Sequence, residues 1–538
     1  LLITMIGMKR IYYLQIMILS VFMLPLGGCF DSEINRSIYE ADAEEMQREN
    51  HIVGATLRGM QGLVIPTREH LYQFMDAMAG GAYGGYLEGI VDTWVMKFST
   101  FNPEQGWLKS PFADPITEMY PQYRDMLNKT DDPVALAFGK VLRVCIMHRV
   151  TDMYGPIPYS NMMSDDNSGE DLAVAYDSQE QVYTQMLKEL EEADKVLEEN
   201  KDLSSEAFRK LEDLYYGNIT KWRRFVHSMQ LRIAMRMSYV KPAEAQRVAE
   251  AAVAAGVIES NDDNAALHVA ENRSELLFNN WSDYRISADL VSIMKGYDDP
   301  RLDKMLVKGV QTVDQEGEKV DVYDFYGVRI GIFTKKKDDM INLYSKQIIS
   351  STDPYLWMNA AEVTFLRAEG ALRGWAMGGE AQALYEKAVS LSFDERKASG
   401  ADAYVKDDEK VPADYVDPMG EYSHDAVSTI TIAWEPGAAN FEKNLERIIT
   451  QKWIAIFPLG VEAWAEHRRT GYPKLLPVVE NKDPNNSVNV TIGPRRLPFP
   501  ADEYNSNPTY IGQAVQMLNG PDAAGTRLWW DVKNHSGN

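Results

Sequence analysis

The chain has 538 residues, 45% of them hydrophobic, and carries 79 acidic against 55 basic side chains for a formal net charge of −24. That length supplies a large core, while such an acidic surface excludes nucleic-acid binding by charge neutralisation and attachment to an anionic lipid surface through a basic patch. With only two cysteines, Cys29 and Cys145, the fold cannot rest on a disulfide framework.

In chain order, the first element is an apolar run from Ile11 to Leu26, behind Lys9-Arg10 and closed by Leu26-Gly27-Gly28-Cys29. A short basic segment, an uncharged stretch and small residues before a cysteine have the layout of a secretory signal, and the run is short for a bilayer span. The closing motif resembles a bacterial lipobox. That resemblance implies that residues 1–28 are a signal peptide, that Cys29 carries lipid on its sulfur, and that Met8 is a better initiator than the residues before it. Removing 1–28 deletes Lys9 and Arg10 but no acid, which leaves a net charge of −26. Residues 29–50 are polar and acidic and read as a tether, followed by a single folded body over 51–538. Asp31 and Glu33 resemble the export signal that follows the lipidated cysteine in Bacteroidetes lipoproteins, which implies an anchor in the outer membrane with the protein facing outward. Acyl chains would then hold it there, since no later stretch reaches 18 apolar residues.

Helical periodicity dominates the rest. Cys145 sits in the apolar run Val141–Met147 and reads as core. Over Gln181–Glu199, Val182, Met186, Leu190, Ala193 and Leu197 recur every three or four residues. Lys221–Met237 places Trp222, Phe225, Met229 and Ile233 on one side, with Arg223, Arg224, Arg232 and Arg236 able to reach outward. These two helices are expected to pair. Ala243–Ala255 is an alanine-rich helix ending at Gly256. Val320–Phe333 has the composition of a small hairpin. Ala360–Trp375 and Glu380–Phe393, separated by Gly378-Gly379, alternate small and large residues and resemble one tetratricopeptide unit. Segments 164–170, 397–418 and 479–494 are rich in Asp, Asn, Pro and Gly and read as loops. The expected fold class is mainly α, a tetratricopeptide-like helical repeat scaffold with irregular loop and small β-hairpin insertions.

Several separated phrases carry a more specific likeness. Asp152-Met153-Tyr154-Gly155-Pro156-Ile157-Pro158-Tyr159 makes a proline-set turn. Trp222-Arg223-Arg224-Phe225 leads to Leu231-Arg232, then come Asp299-Pro300-Arg301 and Ala361-Glu362 through Ala368-Glu369-Gly370. Arg496-Leu497-Pro498-Phe499-Pro500 runs on to Glu503 and Asn507, and Leu528-Trp529-Trp530-Asp531 closes the series. Together these resemble the SusD/RagB family of nutrient-binding outer-membrane lipoproteins, its SusD-like subgroup, with a departure at Val226-His227-Ser228 where that family has Ala-Asn-Ser. The resemblance implies four tetratricopeptide-like units and a ligand site on the insertions. It also implies an oligosaccharide or sometimes a peptide as ligand, and a SusC-type TonB-dependent transporter as the partner over which the lipoprotein closes.

A sugar-binding surface needs flat aromatic faces for the apolar side of a pyranose, and polar groups at the rim for its hydroxyls. Aromatics outside periodic helices are therefore the candidates. Tyr83 and Tyr86 stand in a glycine-rich segment, Ala79 to Tyr86, that reads as an exposed loop. Trp107 follows Asn102 and Gln105, Trp281 follows Asn279-Asn280, and Trp434 precedes Glu435-Pro436-Gly437. Arg468, Arg469 and Glu503 are expected to pair and brace the C-terminal segment. The chain has no H-E-x-x-H, G-x-S-x-G, phosphate-loop or dinucleotide motif, so no catalytic residue, cofactor or metal is expected. The resulting reading is a cell-surface lipoprotein, not an enzyme, that captures oligosaccharides and delivers them to the transporter. A peptide-binding member of the same family and a lipid-anchored glycoside hydrolase are the alternatives.

Overall fold

The computed structural model describes residues 51–163, 173–203 and 208–534; Cys29, Asp31, Glu33 and the acidic run at 164–170 lie outside the described residues. Helix α1 (His51–Val64) leads to α2 (Glu69–Tyr72), which runs on as a π-helical segment, Gln73–Gly80, before α3 (Gln105–Lys129). Helix hairpins follow. Helix α4 (Pro133–Tyr154) packs on α5 (Gln179–Glu199), α6 (Ile219–Arg236) on α7 (Pro242–Ala255), and α8 (Ala360–Leu372) on α9 (Ala381–Glu395). Helix α10 (Phe441–Ala455) packs on α8 and α9, and α11 (Gly460–Thr470) on the Gln73–Gly80 segment and α4, completing the tetratricopeptide-like scaffold.

The starts of these helices are written locally. Asp132 accepts from the backbone N–H groups of Val134 and Ala135 with Pro133 in the first turn, and Ser178 with Gln181 forms a reciprocal capping box. Asn218 and Asn359 cap α6 and α8 in the same manner. The expected hairpin of α5 with α6 is corrected: they touch as neighbours, but α5 folds back on α4, and α6 on α7. Helix α4 is buried around almost its whole circumference, Cys145 included, so it lacks the one-sided period that marks an amphipathic helix. Burial pushes the Cys145 thiol up to about 12, as befits a small core hydrophobe.

The arginines of α6 correct a second expectation. Arg223 and Arg224 do reach toward solvent, pairing with half-buried Asp194 and buried Asp263, but Arg232 and Arg236 point into the core. Arg236 pairs with Asp152, Glu462 and Glu466, while Arg232 forks onto Glu362. Lys452 reaches Glu462 and Glu466 at 3.3 and 3.2 Å, and Arg469 joins Glu466 to Glu369, each at 2.6 Å. Charges of both signs from α4, α6, α8, α10 and α11 thus interlock inside the scaffold. A buried charge persists only when paired, and here the pairing draws on five helices of the scaffold.

Strands are few and short. Strand β1 (Leu87–Gly89) pairs antiparallel with β2 (Tyr284–Ile286), in the register Leu87 to Ile286 and Gly89 to Tyr284. The expected hairpin is shifted along the chain: β3 (Gly309–Gln315) pairs with β4 (Glu318–Asp324) across Glu316-Gly317, both at positive φ, and Tyr326–Phe333 lies outside it. A two-residue turn with both positions left-handed matches the twist of the flanking strands. At the C-terminal end Arg469 pairs as described, whereas Glu503 accepts from Tyr176 instead, and the bracing ion pairs are Arg495 with Asp531 and Arg496 with Asp522.

Candidate ligand-binding surface

The loop after β1 is pinned at both ends. Gly89 is held in the β1–β2 ladder, and the Ile90 amide donates to Asp283 O at 2.8 Å. At the far end Lys97 donates to the fully buried Glu88 at 2.5 Å, and Glu88 also accepts from Ser99 (2.9 Å) and from the Gly331 amide (3.0 Å). Between these anchors the chain offers Trp94, half-buried, then Val95 and Met96, which are 64% and 44% exposed. A Cβ placed on Gly89 would lie 2.9 Å from the Trp94 ring, so the absence of a side chain there lets the indole lie against the strand.

Trp94 is one ring of a series. It crosses Trp107 edge-on with centroids 5.4 Å apart and leans on Tyr284 at 5.8 Å. Trp107 stacks on Phe74 at 6.2 Å with planes 28° apart. Four residues before Phe74, His70 stacks on Trp281 at 5.6 Å and 25°. Offset and edge-on pairs of this kind hold rings in fixed orientations. Phe74, Trp94, Trp107 and Trp281 are all half-buried, and His70 is exposed. The segment from α2 through Gly80 is the common mount, presenting His70 to Trp281 and Phe74 to Trp107, which stands in the first turn of α3 and not on the turn expected from the sequence.

Polar groups frame the rings. Lys337 donates to Trp281 O and to Asp283, each at 2.6 Å, and Gln73 reaches Asp283 at 3.5 Å. Arg273 forks onto Glu69 at 2.6 and 3.0 Å, tying the start of α2 to the segment that leads to Trp281. That guanidinium holds the Glu69 carboxyl down to about 2, against a smaller rise from burial. Gln105 and Asn280 are exposed beside Trp107 and Trp281.

Of the sequence-based candidates, the structure brings Trp107 and Trp281 to this surface. Tyr83 and Tyr86 are corrected as outward-facing groups: they are 7% and 0% exposed. Tyr83 packs on Trp464 at 4.9 Å, and Tyr86 stacks on Trp453 at 5.0 Å while donating its hydroxyl to Trp453 O. The glycines around them serve close packing in place of a loop. A Cβ on Gly80 would stand 2.6 Å from Val461 N, and one on Gly84 2.6 Å from Gly460 O, so the start of α11 fits only against bare backbone. Trp434 lies apart from the series and packs on Tyr385 of α9 at 5.7 Å. Trp94, Phe74 and His70 were not legible as a set. Trp94 does satisfy the criterion used for Trp107, an indole outside any periodic helix, whereas Phe74 and His70 look like ordinary helix residues until the fold places them.

Among the described residues no group of three or more His, Cys, Asp or Glu is placed to hold a metal, and no helix is long and apolar enough to cross a membrane. The family described as SusD-like, the SusD and RagB outer membrane lipoproteins, matches residues 33–531, and the chain belongs to it. Solved structures agree. A SusD homolog from Bacteroides thetaiotaomicron is 52% identical, with 90% of this chain and 99% of that one covered at a TM-score of 0.83. One from Bacteroides uniformis is 38% identical over 90% and 100% of the two chains (TM-score 0.82), and a chitin-binding SusD homolog from Flavobacterium johnsoniae is 39% identical over 90% and 99% (TM-score 0.81). A search of curated proteins gave no match. The family acts in glycan binding for nutrient uptake at the outer membrane, and its members are in general binding proteins without catalysis.

Proposed function

We propose that this lipoprotein captures an oligosaccharide on the surface formed by Phe74, Trp94, Trp107, Trp281 and His70, and hands it to a SusC-type TonB-dependent transporter. The observation that carries the reading is the arrangement of the rings: Phe74 stacks on Trp107, Trp94 crosses Trp107 edge-on, and His70, one turn before Phe74, stacks on Trp281, with none of the five fully covered. Such rings suit the C–H faces of successive sugars, and the amides and charges around them suit the hydroxyls. The Flavobacterium homolog binds chitin, which makes oligomers of N-acetylglucosamine the first ligands to test here.

Hydrolysis is the weaker alternative on local chemistry. A glycosidase needs one carboxyl held protonated beside a second that is ionised. Here Glu69 is held ionised by Arg273, and Asp283 is engaged by Lys337. Lipid on Cys29 would keep the protein at the outer membrane, facing outward. The test is intrinsic tryptophan fluorescence of the full chain during titration with chitooligosaccharides and other glycans, followed by analysis of the recovered ligand. A saturating change with intact ligand supports capture. Cleaved ligand would favour the hydrolase, and saturation by peptides alone would favour a peptide-binding member of the family.

A further inference from the structure

His70 and Phe74 share one helical mount, which fixes them relative to each other. Trp94 and Trp281 stand on irregular segments, so their places must be set by other contacts. The short stretch from Trp281 to Arg285 touches both. The Lys337 ammonium donates to Trp281 O and to Asp283 Oδ1, each at 2.6 Å. Asp283 O accepts from the Ile90 amide at 2.8 Å, where the loop of Trp94 begins, and Asp283 Oδ2 faces Gln73, the neighbour of Phe74, at 3.5 Å. Tyr284 leans on the Trp94 ring itself. Buried Arg285 donates to Ile341 O at 3.0 and 2.7 Å, fastening the far end of the short helix Lys337–Met340 that carries the lysine. Lys337 is thus held at its base through Arg285 and at its tip by Asp283. Ser282, between Trp281 and Asp283, is left-handed at φ 55°, a conformation that a serine keeps where its neighbours hold it.

We propose that Lys337 and Asp283 are positioning residues, which fix Trp281 relative to Trp94 so that both indoles meet one oligosaccharide at once. This rests on the capture of glycan by the aromatic surface, and it adds the length of ligand selected. His70 and Trp281 form one group of rings, and Phe74, Trp107 and Trp94 form the other. A short sugar rests on one group, whereas a longer oligomer lies across both. Two contacts made by one ligand reinforce each other only where their spacing is set in advance, and the Lys337–Asp283 pair sets it here. Both side chains are half-buried, so the pair is partly shielded from water and holds its geometry better than a fully exposed one.

The full chain in a zwitterionic detergent is titrated calorimetrically with chito-, cello- and maltooligosaccharides from the disaccharide to the hexasaccharide. In the series that binds, affinity rises at least tenfold from the shortest member to the longest. Lys337→Met removes most of that rise: the hexasaccharide weakens tenfold or more and the disaccharide less than twofold. Lys337→Arg, which keeps the charge and the donors, restores it. Equal weakening at every length, no weakening, or Lys337→Arg behaving as Lys337→Met would each overturn the assignment. A second measurement needs no ligand, fluorine NMR of the chain labelled with fluorotryptophan. Lys337→Met shifts or broadens the signals of Trp94 and Trp281 and leaves in place those of Trp453 and Trp464, which are buried in the scaffold. Asp283→Asn, close to the parent in shape, does the same and carries the test if Lys337→Met fails to fold. Unmoved Trp94 and Trp281 signals would also overturn the assignment. Should the parent bind no glycan, the capture reading fails, while the fluorine signals still decide the positioning.

Discussion

At the scale of single residues, Trp94 and Trp107 are the side chains whose removal separates capture from folding. Each is half-buried, so truncation leaves the scaffold standing while taking a face from the ligand. Trp94→Ala or Trp107→Ala is expected to weaken glycan binding about tenfold, the cost of losing a central aromatic contact, with the thermal transition little changed. Equilibrium binding beside a melting curve checks both halves. Asp289 makes a different prediction. It is buried, accepts from the Leu476 amide at 2.6 Å, and burial lifts its carboxyl to about 6. A folded-state value raised above the unfolded one means stability is lost as pH climbs from about 4 to 6, because the native state must then ionise a buried group. Asp289→Asn keeps the acceptor and removes the charge. It is expected to match the parent in urea melts at pH 4 and exceed it at pH 7.5 by on the order of 2 kcal/mol. Residue-level legibility was mixed. Indoles beside polar residues announced Trp107 and Trp281, although Trp107 proves to stand in the first turn of α3, and glycine is ambiguous: around Tyr83 and Tyr86 the same residues that signal a loop serve a close approach to Gly460, which only the partner segment reveals.

At the scale of elements, two devices hold the scaffold and the loop it carries. The first is the interlocked charge network. Burial opposes ionisation of Glu466, but Arg469, Lys452 and Arg236 outweigh it and hold the carboxyl well below its usual range; Glu462 is held low by Arg236, Lys452 and Arg232 against the same opposition. Depressed values mean the stability they contribute is present above about pH 4.5 and lost as pH falls through the folded-state values. Unfolding by acid should therefore begin below about pH 4.5. Arg236→Met, which removes one shared cation from three buried acids, should cost about 3–5 kcal/mol in denaturant melts. The second device is the fit of Gly80 against α11. Gly80→Ala forces backbone apart and should cost about 1–3 kcal/mol, readable as a lowered melting temperature. Amphipathic helices such as α5, α8 and α9 were legible from spacing alone. Helix α4 was not, because a helix buried all round shows no stripe. The outward reading of Arg232 and Arg236 failed for a related reason: charge alone suggests solvent, and the acids that draw these arginines inward lie on other helices. The loop bearing Trp94 depends on the pairing of β1 with β2, two strands of three residues far apart in the chain, which no local signal announces.

At the scale of the whole molecule, the proposed function asks an acidic body with half-buried aromatic rings to hold neutral glycan near a transporter, and its charge suits it to do so without retaining nucleic acid or anionic lipid. The series of rings brings together segments from α2, from the loop after β1, from the start of α3 and from the approach to β2, so capture is a property of the assembled fold. Because stacking and neutral hydroxyl contacts dominate, affinity should change little between about 0.05 and 0.5 M salt, where a charge-driven contact would weaken. The most direct measurement is calorimetric titration of the full chain with a panel of plant, host and microbial glycans and peptides, in parallel with Trp94→Ala/Trp107→Ala. Saturable heat from one glycan class at millimolar or lower concentration, reduced a hundredfold or more in the double variant with the ligand recovered intact, is the predicted result. A glycan that binds the parent and the double variant equally, or a panel in which no glycan binds, would contradict the account.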